Sequence, residues 1–270
     1  MSGKILRLNR ILDPRTETTV IVPFDHGPEG WWKPLEDTGN LIKDSVKGGA
    51  DAVLLRRGLA KALASEYAGK AALVLRVGCT PALRSDPNPF EALTSSVEDA
   101  VRIGADAVVY TTFLGRGRES ESTRNFGLLS DACDEWGMPL VGEVLLVKSP
   151  TIPTLYDAEQ IRIAARYAAD EGADIVKVFY TGDTESFKKV VRYCPVPVVI
   201  AGGESGGKEL DVLKMIEGAM NAGAKGICIG RNIWNRKNTR LMVKAASSIV
   251  KKKLTAEEAS SILASSAKDR

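Results

Sequence analysis

A short cadence recurs along the chain: an amphipathic stretch with apolar residues at helical spacing, a glycine, a small residue, usually an aspartate, and then an uninterrupted β-branched or aliphatic run. It is found at Gly48-Gly49-Ala50-Asp51 before AVLLRRG, at Gly104-Ala105-Asp106 before AVVYTTF and at Gly172-Ala173-Asp174 before IVKVFY. A fourth copy, with lysine in place of the aspartate, is Gly223-Ala224-Lys225 before GICIG. A helix-stopping glycine followed at once by a continuous apolar run reads as helix, C-cap, tight loop and a strand buried on both faces. Further runs of the same character are TVIVPF (19–24), AALVLRV (71–77), PLVGEVLL (139–146) and PVPVVIAGG (195–203). Between the strands, residues 36–47, 59–68, 96–103, 121–136, 157–171, 183–193 and 208–222 place apolar side chains at the 3.6-residue period of an amphipathic helix.

Eight strands alternating with helices within 270 residues predict the α/β class and a (β/α)8 TIM barrel. A doubly wound sheet needs fewer strands, and no G-x-G-x-x-G lies between the first strand and the first helix. No linker or low-complexity tract breaks the chain, so residues 1–270 read as one domain. Residues 1–18 are expected to cover the barrel bottom. Residues 254–270 are expected to form an outer helix, started by the capping-box spacing of Thr255 and Glu258.

Charge and composition narrow the function. Lys plus Arg number 37 against 34 for Asp plus Glu, a formal +3, which is too near neutral for a polyanionic partner; no nucleic-acid binding is expected. No apolar run approaches the roughly 20 residues of a membrane span, and MSGKILRLNR lacks the apolar core and cleavage site of a signal peptide, so a cytoplasmic protein without membrane association is expected. Cys79, Cys133, Cys194 and Cys228 form no C-x-x-C, and His26 is the single histidine, so neither a zinc site nor a disulfide framework is suggested. No metal or cofactor is implied.

In a barrel the chemistry sits where strands end at their C-terminal side. Lys177 interrupts the hydrophobic strand IVKVFY, where an ammonium is costly unless it is paired or deprotonated. Two readings fit: a desolvated lysine of lowered pKa that attacks carbonyls, or a structural lysine that snorkels to the barrel end or pairs with Asp25. Asp25, after the first strand, either holds that lysine and moves protons or caps the following turn. His26 is a candidate for polar contact with substrate. Gly202-Gly203 after the seventh strand and Gly230-Arg231 after the eighth occupy the usual place for a substrate phosphate, with Arg231 as the cation. Trp31-Trp32 either lids the site or packs on a neighbouring subunit, with surface packing the first reading, and Cys79 to Pro89 is a proline-rich loop that either shapes substrate access or is a rigid structural loop.

Together, Phe24-Asp25-His26-Gly27, Ala173 to Asp183, Ala201-Gly202-Gly203 and Gly226 to Trp234 resemble the archaeal-type class I fructose-bisphosphate aldolase group. That group also holds the 2-amino-3,7-dideoxy-heptulosonate synthases and the thiolase that processes phosphorylated autoinducer-2. The likeness runs from about residue 19 to residue 240. It implies a metal-independent aldolase in which Lys177 forms an imine with a phosphorylated keto sugar, fructose 1,6-bisphosphate by default, while Asp25 assists the proton transfers. It also implies a homo-oligomer, as rings or stacked rings.

One position departs from the group: Leu145 stands where the aldolases and heptulosonate synthases carry an acid/base tyrosine. Glu143, two residues earlier and on the same strand face, is the first substitute, with a pKa expected to be raised by its apolar surroundings, and otherwise it is an ion-pair partner of Lys177 or an arginine. Lys148 and Tyr110 come next. The thiolases also lack the tyrosine, and their Ala-Gly-Gly stretch is similar to Val196 to Gly203. Transfer of an acyl group to coenzyme A, a heptulosonate-type transaldolase and a non-catalytic phosphate-binding barrel are therefore the alternatives.

Overall fold

Every apolar run becomes a strand: β1 (Thr19–Pro23), β2 (Ala52–Arg56), β3 (Ala72–Arg76), β4 (Ala107–Leu114), β5 (Leu140–Leu146), β6 (Ile175–Phe179), β7 (Val198–Ala201) and β8 (Gly226–Cys228). The structure, a computed structural model, describes residues 2–80, 90–203 and 206–264. All neighbouring strands are parallel, and β1 pairs with both β2 and β8, which closes the (β/α)8 barrel expected from the sequence. Closure leaves the barrel itself without a sheet edge.

The helices fall close to their predicted places, at Thr38–Gly48, Val97–Ile103, Glu119–Trp136, Ala158–Asp170, Thr184–Tyr193 and Glu209–Asn221. The stretch expected as one helix over 59–68 is broken at Leu63 into Arg57–Ala62 and Ala64–Tyr67. Two elements beyond the periodicity are a hairpin pairing Gly78–Cys79 with Ala92–Leu93 and the helix Thr239–Lys252. Gly49 and Gly104 stop their helices at φ 101° and 82°, in left-handed backbone that favours glycine.

The aspartate of the cadence has a specific duty. Asp51 accepts the amide of Val20 at 2.8 Å, Asp106 that of Leu73 at 3.1 Å and Asp174 that of Leu140 at 2.8 Å, so each satisfies the first amides of the neighbouring strand. Such a bond contributes about 1 kcal/mol, and leaving the buried amide unpaired costs more. Each carboxylate is balanced by a cation: Lys251 at 2.5 Å from Asp51, Arg10 at 2.9 Å from Asp106 and Lys4 at 3.1 Å from Asp174.

Alternation along the strands makes two cores. Outward residues such as Val53, Val108 and Val176 pack against the helices. Inward residues, among them Ile21, Leu54, Val74, Val109, Val141 and Ile175, fill the lower barrel, where Ile11, Leu8 and Leu12 at the end of helix Ser2–Ile11 pack against them. Helix Ala256–Ala264 opens on a reciprocal cap between Thr255 and Glu258 and packs on helices Glu209–Asn221 and Thr239–Lys252. Residues 265–270, the rest of the expected outer helix, lie outside the described residues. No helix among the described residues is long and apolar enough to cross a membrane.

Candidate active site

The inward parity that fills the lower barrel with aliphatic side chains places polar ones at the C-terminal mouth. Thr111, Glu143, Lys177 and Val199 are successive register partners on β4 to β7, so the first three form one ring facing the axis. Above them lies a cavity of about 350 Å³ lined by these residues together with Asp25, His26, Arg76 and Glu91.

Arg76, at the end of β3, organises the floor of that cavity. Its Nε donates to Asp25 Oδ2 at 2.8 Å, its Nη2 to Glu143 Oε2 at 2.6 Å, and its Nη1 reaches Glu91 Oε1 at 3.3 Å and also donates to the Thr111 hydroxyl. Thr111 in turn donates to Glu143 Oε2 at 2.7 Å. The other oxygen of Glu143 is 2.5 Å from Lys177 Nζ. Lys177, Glu143, Arg76 and Asp25 are each no more than 6% exposed. Charged groups with so little water need such partners, because leaving one unpaired costs several kcal/mol.

The sign of the electrostatics corrects two expectations. Burial opposes the charge on Lys177, but Glu143 and Asp25 outweigh it and raise the ammonium above its ordinary value, so the resting lysine is protonated rather than poised by desolvation. The neighbouring Cys228 is pushed up to about 11 by burial and stays a neutral thiol. Glu143 is likewise the reverse of expectation: burial would raise it, but Lys177 and Arg76 hold it below the carboxylate range. Asp25 is lowered as well, with Arg76 overcoming burial. Glu143, not Asp25, is therefore the ion-pair partner of Lys177, and Asp25 belongs to Arg76.

His26 packs edge-on against Trp234 at 5.5 Å between centroids, and Trp234 Nε1 donates to the Pro23 carbonyl at 2.8 Å. Burial lowers the imidazole to about 4, so it is neutral, and its Nδ1 stands 3.4 Å from Asp25 Oδ1 without hydrogen-bond geometry. Gly230 passes so close that a Cβ there would sit 2.5 Å from His26 Cε1 and 2.7 Å from the Pro23 carbonyl. Gly202, Gly203, Gly230 and Arg231 all line the cavity on the β7–β8 side. The Arg231 guanidinium stacks 5.5 Å from the Trp32 ring, and its Nη1 is 4.0 Å from Glu29 Oε2. Trp31 is 76% exposed, whereas Trp32 is partly buried against Trp234 at 6.0 Å.

Two sequence candidates are placed elsewhere. Tyr110 neighbours Thr111, so alternation turns it outward, against Phe126, with its hydroxyl donating to the Glu91 carbonyl at 2.8 Å. Lys148 lies past the end of β5 at Leu146, exposed and away from the cavity lining. Sequence reasoning passed over Arg76, Glu91 and Arg116, which line the cavity, and gave no role to Arg56 at the end of β2, which lines it too. Arg76 carries the signal that singled out Lys177, a charge inside an apolar strand. Glu91 has no such signal, since a hairpin strand brings it back over β3. Of the Cys79 to Pro89 loop, Thr80 lines the cavity and residues 81–89 lie outside the described residues.

The chain is similar to known proteins along nearly its whole length. The pattern of the DeoC/LacD family aldolases matches residues 19–236. The 2-amino-3,7-dideoxy-D-threo-hept-6-ulosonate synthase 1 of Archaeoglobus fulgidus is 37% identical over 258 residues, 96% of this chain and 95% of that protein. The crystal structure of an archaeal fructose 1,6-bisphosphate aldolase superposes with a TM-score of 0.83 at 30% identity, covering 92% of this chain and 98% of the other. A Schiff-base-forming fructose-1,6-bisphosphate aldolase studied through its reaction intermediates gives the same TM-score and identity, with 92% and 99% covered.

Proposed function

The chain belongs to the DeoC/LacD family of aldolases, and from that premise we propose that it is a class I aldolase in which Lys177 forms the Schiff base with a phosphorylated ketose. The observation that carries this reading is the buried Lys177 ammonium, 2.5 Å from Glu143 Oε1, at the base of a cavity of about 350 Å³. Lys177 must shed a proton before it can attack, and Glu143 is the nearest acceptor. Its other oxygen is held by Arg76 and Thr111, so the carboxylate is oriented before the proton arrives. The neutral amine adds to the ketone carbonyl, the carbinolamine loses water, and the resulting iminium accepts the electron pair when a carbon–carbon bond breaks. Asp25, locked to Arg76, keeps the floor of the site anionic opposite the cationic nitrogen.

The substrate phosphate is assigned to Gly202, Gly203, Gly230 and Arg231, four lining residues on one side of the cavity that offer backbone amides and one cation. Fructose 1,6-bisphosphate is the first substrate to test, in line with the aldolases of known structure. The 37% identity to a heptulosonate synthase supports a second reading, in which the same lysine builds a seven-carbon amino keto acid.

Borohydride reduction in the presence of dihydroxyacetone phosphate, followed by intact-mass analysis and peptide mapping, tests the lysine. The expected result is one adduct on Lys177 that is absent from Lys177→Ala. An adduct that persists in that variant, or none with any phosphorylated ketone in folded protein, overturns the assignment. Cleavage of fructose 1,6-bisphosphate by the unmodified enzyme separates the two substrate readings.

A further inference from the structure

The buried floor of the site holds three carboxyl groups, Asp25, Glu91 and Glu143, against two cations, Arg76 and Lys177, all at most 6% exposed. Were all five ionised, one negative charge would be left over, and a buried group in excess takes up a proton instead of staying charged. The contacts say which one. Asp25 receives Arg76 Nε at 2.8 Å, and Glu143 receives Arg76 Nη2 at 2.6 Å, Lys177 Nζ at 2.5 Å and the Thr111 hydroxyl at 2.7 Å. Glu91 has the longest cation contact, 3.3 Å, to a nitrogen that also serves Thr111. The charged and polar groups around it are Arg76 on β3, Glu143 on β5, Arg56 on β2 and Thr111 on β4. Arg56 is only half-buried and donates to the carbonyls of Asp25 and Gly78. Burial, with Glu143 adding to it, raises the Glu91 carboxyl against the pull of Arg76.

The position of Glu91 is built by the fold. Its side chain crosses directly over Gly78, where a Cβ would come 2.2 Å from Glu91 Cγ, and its carbonyl accepts the Tyr110 hydroxyl at 2.8 Å. Of the lining groups at the floor, Glu143 is committed to Lys177 and Asp25 to Arg76, His26 is a neutral imidazole, and Leu145 and Phe179 are hydrocarbon, while Glu29, the other lining carboxyl raised by burial, stands beside Arg231 on the β7–β8 side.

We propose that Glu91 is the neutral carboxylic acid of the resting site and the group that protonates the aldehyde oxygen as the carbon–carbon bond forms, with Tyr110 as a positioning residue behind it. This inference rests on the aldolase reading above. In condensation the enamine carbon attacks the aldehyde carbon, the carbonyl π pair takes the Glu91 proton to become a hydroxyl, and the enamine nitrogen lone pair becomes the iminium double bond. Glu91 is left as a carboxylate beside Arg76. Cleavage runs the same transfers backward, with the Glu91 carboxylate removing the hydroxyl proton.

The test combines Glu91→Gln, Glu91→Asp and the unmodified enzyme. Isotope-edited infrared spectra of glutamate-labelled protein, with and without the Glu91→Gln change, should show a protonated carboxyl at neutral pH that belongs to Glu91; its absence overturns the proposal without any substrate. In Glu91→Gln, imine trapping with dihydroxyacetone phosphate should stay within about threefold, while condensation with glyceraldehyde 3-phosphate should fall roughly 10²- to 10⁴-fold and lose one limb of its pH profile. Glu91→Asp should recover part of the rate and the limb. Turnover of Glu91→Gln within about threefold of the unmodified enzyme refutes the role, and so does parallel loss of imine trapping and turnover, which would make Glu91 a support for Arg76. If the unmodified enzyme itself traps no ketone and turns over none, the aldolase reading has failed and the proton-donor role falls with it, while the infrared spectrum still decides the protonation state.

Discussion

Replacing Arg76 with methionine keeps most of the side-chain volume and removes a cation that touches three buried carboxyl groups and Thr111. Removing one partner of a buried ion pair costs about 3–5 kcal/mol, because the other partner stays buried without compensation. At about 2–4 °C per kcal/mol for a chain near this size, the melting temperature should fall by roughly 10 °C. The pH dependence between 7 and 5 should steepen as well. In the unmodified protein Asp25 and Glu143 are lowered, so their contribution is present above the unfolded-state pKa near 4 and is lost as pH falls through the folded values. Burial already raises Glu91 in the unmodified protein, and without Arg76 it also dominates Asp25 and lifts Glu91 further. The native state of the variant then binds more protons than that of the parent, so the variant gains more stability than the parent as pH drops from 7 to 5. Urea denaturation of both proteins at pH 7 and pH 5 measures the two effects. A variant within 1 kcal/mol of the parent at pH 7, or one with the same slope of stability against pH, would show that Arg76 does not hold the charges of the floor together.

Glu143→Gln takes away the nearest anion to Lys177, so the raised ammonium pKa should fall and the rate of reductive imine trapping should climb at lower pH than in the parent; an unmoved pH profile contradicts the pairing. Arg231→Met should raise KM for a phosphorylated substrate about 10- to 100-fold, the worth of one charge-assisted hydrogen bond, and leave an unphosphorylated analogue unaffected. Equal losses on both substrates would place the phosphate elsewhere. His26, the only histidine, can be followed by NMR in the whole protein, with an expected midpoint near 4. Since its folded value lies below the unfolded value of about 6.5, its linkage lowers stability as pH falls from about 6.5 to about 4. A midpoint near 6.5 would mean that the ring is not buried against Trp234.

What the sequence determined by itself is whatever depends on near neighbours along the chain. Helix, stop and strand are local events, so the cadence at Gly49, Gly104, Gly172 and Gly223 locates four strands and their loops, and barrel closure follows from eight such units. A charge in an apolar strand is also visible locally, which is why Lys177 stands out and why Arg76 could have stood out by the same argument. Period-2 alternation placed Glu143 and Leu145 on one face, and the structure puts both in the cavity lining. The same alternation, applied to β4, would have turned Tyr110 away from the site.

Tertiary structure alone decided the charge states. Asp25, Arg76, Glu91, Glu143 and Lys177 come from different strands and a hairpin, and a buried group's pKa depends on which charges end up a few ångströms away. Desolvation considered alone predicted a lowered Lys177 and a raised Glu143; their contact at 2.5 Å reverses both. Glu91 was beyond reach for the same reason, since only the pairing of Gly78 with Leu93 folds it over β3 and onto Arg76. Coulomb energy between close, buried charges outweighs what each residue type brings on its own, and those distances are set by chain closure over tens of residues.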